Sequence, residues 1–251
     1  MGIRQIIKGL DGSQQSIGYS AAVPSGLQYI NFFGGDVDQG RNLSDGGASA
    51  RVVGNPVVGD MSSGVLCTSH SDYIQTAVAQ AQKMTVMGVF CPDSDTRAYA
   101  VSNATAARPI GFSVYAQPSG TAGIHNLIVQ FGGVNASTGA NMAIIATINS
   151  VISNNVPFAF AATLDYSALA TTKVDVRNLK GGSSATDTRA ISSAGSGAAG
   201  LIIGSNLDAT VYAGTRVLQM AAWNRVLTDD EIAAQYSQIK NYYLNVHGIA
   251  V

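Results

Sequence analysis

The chain is short of charge, aromatic rings, glutamate and cysteine, and each shortage excludes something. Asp, Glu, Lys and Arg make up 12% of its 251 residues, with a formal net charge of -1. Nucleic-acid binders carry a basic patch, so nucleic acid is not an expected partner. Two cysteines, Cys67 and Cys91, cannot frame a disulfide scaffold. Both lie in apolar runs and read as buried free thiols. No stretch reaches the ~18–20 consecutive apolar residues of a membrane helix, so no membrane is expected. The opening MGIRQIIKGLDG has neither the apolar core nor the cleavage site of a signal peptide. Ile6 stands where a myristoylation motif needs Ser or Thr.

Catalytic motifs are missing as well. Glu231 is the single glutamate of the chain. The three histidines, His70, His125 and His247, are far apart and show no zinc spacing. There is no GxSxG elbow and no GK[ST] phosphate loop. Asp93 and Asp95 form an Asp-x-Asp pair inside CPDSDT, which reads as a solvated turn. No catalytic residue is assigned, and the chain is not expected to be an enzyme.

What the chain does have is glycine, 28 residues of it, with frequent Ala, Ser, Thr and Asn. That composition favours short strands joined by tight turns. Strands are predicted over residues 27–33, 51–58, 73–78, 84–91, 110–115 and 126–131, with Pro56 confining its strand to an edge or end. Leu127, Val129 and Phe131 alternate with Asn126, Ile128 and Gln130, which gives two faces. Residues 142–152 lean to strand through their Ile, Thr and Val content. Phe158, Phe160, Ala162 and Leu164 line one face of the next strand, and residues 173–177 form a half-exposed one. Residues 181–200, rich in Gly, Ser and Ala, are predicted to be a long loop. Strands at this spacing indicate an all-β sandwich. Residues 1–23 hold isolated apolar positions only (Ile3, Ile6, Ile7, Leu10) and read as an N-terminal arm before a domain over 24–251.

The most informative stretch is residues 214–243, GTRVLQMAAWNRVLTDDEIAAQYSQIKNYY. Residues 215–223 are apolar at nearly every position, as in a strand buried on both faces. Thr228 and Glu231 have the spacing of a capping box, bracketed by Leu227 and Ile232 as a hydrophobic staple. Asp229 and Asp230 add negative charge at the helix N-terminus. Ile232, Tyr236, Ile239 and Tyr243 then recur at helical spacing. Trp223, the single tryptophan, reads as core.

This closing strand and helix, with AAWNRVLTDDEI at their junction, resembles the end of LamG-like domains of the concanavalin A-like lectin/glucanase superfamily. Residues 200–204 (GLIIG), 71–76 (SDYIQT) and 34–44 resemble earlier pieces of the same domains. The resemblance spans residues 28–243. It implies a two-sheet antiparallel jelly roll with one C-terminal closing helix. The glucanases of the superfamily place paired Glu carboxylates on one strand, and this chain lacks them.

No cofactor is expected; calcium is the one ion the resemblance implies. Its ligands would be Asp36 and Asp38, with Asn42 and Asp45 nearby, against the alternative of an ordinary Asp/Gly turn. In the last strand Gln219 stands where the family often has an acidic residue. Sugar binding needs aromatic faces beside polar groups, and Tyr99, Tyr115, Tyr166 and Tyr212 are the candidates near loops. Modules of this resemblance occur in tailed-bacteriophage virions. It therefore implies a virion structural protein made in the bacterial cytoplasm, homo-oligomeric and most often trimeric. Such a protein would contact other virion proteins and serve attachment, with a host-surface glycan as ligand. The alternatives are a decoration protein with assembly contacts only and a cryptic glycoside hydrolase.

Overall fold

A computed structural model describes residues 20–105, 109–198, 200–207 and 214–251. Of the N-terminal arm expected over residues 1–23, residues 1–19 lie outside the described residues. In chain order the strands are β1 (Leu27–Phe32), β2 (Arg51–Val53), β3 (Val57–Val58), β4 (Val65–Cys67), β5 (Tyr73–Gln75) and β6 (Lys83–Pro92). Then come β7 (Ala98–Ser102), β8 (Ser113–Pro118), β9 (Ile124–Asn135), β10 (Asn141–Ser153) and β11 (Phe158–Asp165). The last are β12 (Thr172–Asn178), β13 (Ser184–Arg189), β14 (Ile191–Ala194), β15 (Ile202–Ile203) and β16 (Thr215–Trp223). One helix, α1 (Asp229–Tyr242), follows and ends in a single π turn, Tyr243–His247.

The strands form two antiparallel sheets. The first runs β13-β12-β11-β6-β16-β4-β3, with β1 also on β16. The second runs β10-β9-β8-β7-β15-β5-β2, with β14 also on β9. The all-β sandwich with one C-terminal helix is thus the observed fold. Alternation along the strands places the core between the sheets: Val86, Phe90 and Phe160 from one meet Val114, Leu127 and Phe131 from the other. Phe90 packs edge-on against Phe160, centroids 5.4 Å apart.

The other face of the first sheet is also apolar, because α1 lies on it. Met87, Val89, Ala159, Ala161, Leu218 and Trp223 form a second core with Ile232, Ile239 and Tyr243. The alanines suit a helix laid on a sheet, since small side chains let the two layers approach. Strand β16 is the centre of this arrangement. It pairs with β4 over Thr215–Val217 and with β1 from Gln219 to Trp223. A bulge falls between those two spans. At the bulge the Leu218 carbonyl accepts from Phe33 N–H at 2.8 Å and from the Tyr243 hydroxyl at 2.7 Å.

Two expectations are corrected. Residues 51–58 are two strands in different sheets, β2 and β3, because the chain turns at Gly54 (φ 72°) ahead of Pro56. A side chain at Gly54 would collide with Asp72 and the Ser71 carbonyl. The loop predicted at 181–200 contains β13 and β14. Here Ser, Thr and Ala hide strand character, since a sheet edge needs paired backbone and not apolar bulk. Val176 pairs with Ala185, and Thr186 donates to Asp175 at 2.6 Å. Asp187 reaches across to accept from Ile145 N–H on β10. Gly195 then packs against the carbonyls of Ile110 and Gly132, where a side chain would not fit.

Candidate functional site

The closing helix carries the capping box. Thr228 accepts from Glu231 N–H, and Glu231 accepts from Thr228 N–H at 2.8 Å. Arg225 adds a two-pronged ion pair to Glu231, at 2.7 and 2.8 Å. That guanidinium, with the Thr228 backbone bond, holds the Glu231 carboxyl down at about 2. Leu227 and Ile232 are buried beside the cap. Trp223 is fully buried and donates from Nε1 to the Val23 carbonyl at 2.8 Å. Residues 20–23 are strapped to the helix: Gln238 accepts from Ala22 N–H at 2.8 Å and donates to the Ser20 carbonyl at 2.8 Å. These groups bond to one another and tie the helix to the sheet.

The opening loop is built from its own polar groups. Asn42 Oδ1 accepts from Ile30 and Ser44 N–H, and its Nδ2 donates to the Gln28 and Ala48 carbonyls. Asp36 and Asp38 are exposed. Asp38 Oδ1 caps Gly40 N–H at 2.9 Å, and the carbonyls of Asp38 and Gln39 accept from Asn31. Among the described residues no group of three or more His, Cys, Asp or Glu could hold a metal ion. Asp38 closes a turn of its own on Gly40, as in an Asp/Gly turn. Gln219 is fully buried, and neither of its amide atoms has a protein partner.

Other candidates also fall within the fold. Asp95 Oδ1 accepts from Gly123 N–H and from Asn154 Nδ2, as a turn carboxylate does. His125 is buried, with Nε2 3.2 Å from the Thr96 carbonyl. Cys67 and Cys91 are buried free thiols, pushed up by burial to about 12 and about 11. Tyr166 stacks on Phe131 at 5.2 Å. Tyr212 lies outside the described residues.

Tyr99 and Tyr115 are brought together. They sit on neighbouring strands, β7 and β8, with ring centroids 5.1 Å apart. With Ile128 of β9 they make a small apolar cluster separate from both cores. The two residues are only 6% and 4% exposed, so they form a floor. Burial raises the Tyr115 hydroxyl to about 12, and nearby Arg97 works against that rise. The Arg97 guanidinium lies 4.9 Å over the Tyr115 ring, a cation–π contact.

Polar groups ring this floor. Arg97 donates to Gln117 Oε1 at 3.0 Å, and the Tyr115 hydroxyl donates to Gln130 Oε1 at 2.9 Å. Gln117 sits opposite Asn126 in the β8–β9 pairing, and Tyr115 opposite Ile128. A hollow of about 390 Å³, lined by Asp95, Thr96, Arg97, Gln117 and Pro118, opens at one end. A second of about 370 Å³, between Gln130, Pro109, Ile110 and the start of β10, opens at the other. Each has the size of a small-ligand site. Chemically the face offers fixed hydrogen-bond donors over a low apolar floor. Sequence reading missed Arg97, Gln117 and Gln130. Their only local signal is the polar half of each strand's alternation.

Compared by sequence, the chain matches no family model and no curated protein. Compared by fold, it resembles the botulinum neurotoxin type G receptor-binding domain at a TM-score of 0.56 and 12% identity. It also resembles the botulinum neurotoxin serotype D ligand-binding domain, solved in complex with N-acetylneuraminic acid (TM-score 0.55, 11% identity). A third likeness is to the binding domain of Paraclostridial Mosquitocidal Protein 1 (0.55, 14%). Each match covers 86–87% of this chain and 52–53% of the other, so the chain spans about half the length of those structures. At such identity the likeness is one of fold: a β-sandwich of the kind found within receptor-binding domains.

Proposed function

We propose that the chain is a non-catalytic glycan-binding module, serving attachment to a host surface as part of a bacteriophage virion. The observation that carries the binding half is the face over β7, β8 and β9, where Arg97, Gln117 and Gln130 surround the Tyr99–Tyr115–Ile128 floor. Fixed polar groups around an apolar floor, flanked by hollows, suit sugar rings, which have apolar faces and polar edges. The receptor-binding neighbours, one of them holding N-acetylneuraminic acid, support this reading. The single glutamate, committed to the helix cap, speaks against a Glu-paired hydrolase. The virion setting and the homo-oligomer, a trimer by preference, rest on the LamG-like resemblance and on the scarcity of charge. Several copies of one modest site would raise binding by ~10²–10⁴ through avidity.

A glycan array probed with the full chain tests the reading. Retention of a defined glycan set, lost on replacing Arg97 by Ala without unfolding, is the expected result. An empty array, or release of reducing sugar from host polysaccharide, overturns it. The second reading, a decoration protein with assembly contacts only, is favoured by one observation. Val52, Val57 and Val58, on the end strands of both sheets, are 41%, 56% and 46% exposed. Light scattering, with and without a valine-to-threonine change at these positions, measures their part in assembly.

A further inference from the structure

Each of the three amides around the tyrosine floor has an oxygen that already accepts one hydrogen bond from the protein. Gln117 Oε1 takes Arg97, Gln130 Oε1 takes the Tyr115 hydroxyl, and Asn126 Oδ1 takes Ser150 N–H at 2.8 Å. What each amide retains is its NH2 group, which carries two donor protons. None of the three NH2 groups donates to a protein group among the described residues. All three side chains are partly exposed. The face is therefore rich in donors, and its donors are fixed before any ligand arrives.

We propose that this face binds an extended N-acetylated oligosaccharide. The inference rests on the glycan-binding reading above and adds the chemistry and the length of the ligand. An acetamido carbonyl is an acceptor without a proton, so it accepts from an amide NH2 and asks for no acceptor in return. A bare sugar hydroxyl also brings a proton, and each amide oxygen, already accepting one hydrogen bond, has a single lone pair left for it. One carboxylate does face the nearer hollow. Asp95 has Oδ1 occupied by Gly123 N–H and Asn154 Nδ2, which leaves Oδ2 to accept an acetamido N–H.

Length follows from register. Gln117 lies opposite Asn126, and Gln130 is four residues further along β9. At the rise of a strand that is roughly 14 Å. One sugar unit occupies one hollow; reaching both amide ends takes a chain of several units, lying over Tyr115 and Ile128.

Calorimetry on the full chain tests this with three probes: the β-1,4 tetramer of N-acetylglucosamine, its dimer, and cellotetraose. Cellotetraose has the same linkage and no acetamido group. The N-acetylated tetramer is expected to bind at least tenfold more tightly than either. Gln117→Ala and Gln130→Ala are each expected to weaken the tetramer tenfold or more, with thermal unfolding unchanged. Equal affinity for cellotetraose, or for the dimer, overturns the inference. If none of the three binds while the glycan array retains other sugars, the inference fails and the glycan reading stands. An empty array removes both.

Discussion

The outer faces of the two sheets start from the same strand alternation and end in opposite states. On the first sheet the outward residues are Met87, Val89, Ala159, Ala161 and Trp223, and α1 covers them. On the second sheet the outward residues on β8 and β9 include Tyr115, Gln117, Asn126, Ile128 and Gln130, and hydrogen-bonded amides frame the tyrosines. An apolar outward face requires a third layer, because exposing it would forfeit ~25 cal/mol per Å² of apolar area. A mixed face needs no such layer and is left to meet something else. The contrast separates the part of the molecule that stabilises it from the part that can recognise a partner.

The contrast breaks most visibly at Trp223. Replacing it by Ala removes the largest fully buried side chain and leaves the Val23 carbonyl without its donor. A loss of ~3–5 kcal/mol is expected in denaturant unfolding. A change below about 1 kcal/mol would mean that α1 and the strap at 20–23 do not depend on this ring.

The cap of α1 comes next. Thr228→Ala deletes the oxygen that accepts from Glu231 N–H and should cost ~0.5–2 kcal/mol. The pair Thr228 and Glu231 was legible in the sequence because a capping box is a four-residue pattern. The inward stripe Leu127, Val129, Phe131 was legible for the same reason, since alternation is local. The donor face was not. Gln117 meets Asn126, and Tyr115 meets Ile128, only through the β8–β9 register, which no single strand encodes. Strand β13 was missed because its Ser, Thr and Ala carry no apolar signal, and β2 and β3 were merged because the turn at Gly54 interrupts two valine pairs. Gln219 shows the converse: its position in an apolar strand was plain, but not that its amide would be buried without a partner.

Acid sharpens the comparison, because Glu231 serves the covered side. Its carboxyl is held by Arg225 at about 2, against an ordinary value of 4.5. A carboxyl depressed by folding contributes stability that is fully present above about pH 4.5. That stability is lost as the pH falls through about 2. Unfolding midpoints measured from pH 5 to pH 2 should fall more steeply for the wild-type chain than for Glu231→Gln. Asp60 and Asp72 are also held low and add to the slope of both proteins, so the difference between the two curves is the quantity that counts. Parallel curves would show that the Arg225–Glu231 pair does not couple α1 to folding.

The smallest expected effect lies on the other sheet. Gln130→Ala removes an amide that is partly exposed and bonded only to the Tyr115 hydroxyl among the interactions described. Surface substitutions away from caps and cores stay within about ±0.5 kcal/mol. Gln130 itself lines a hollow of about 370 Å³, and water entering where its side chain stood can replace the lost partner. Stability should therefore be unchanged within error, whereas Trp223→Ala is costly. The same variant should lose glycan retention, which Thr228→Ala should leave intact in the folded protein. Two variants with opposite patterns, one weakening the fold and sparing binding, the other the reverse, would assign the two outer faces to different work. If Gln130→Ala destabilised the chain by more than about 1 kcal/mol, the amide frame would be part of the structural core, and its row of donors would have a folding origin.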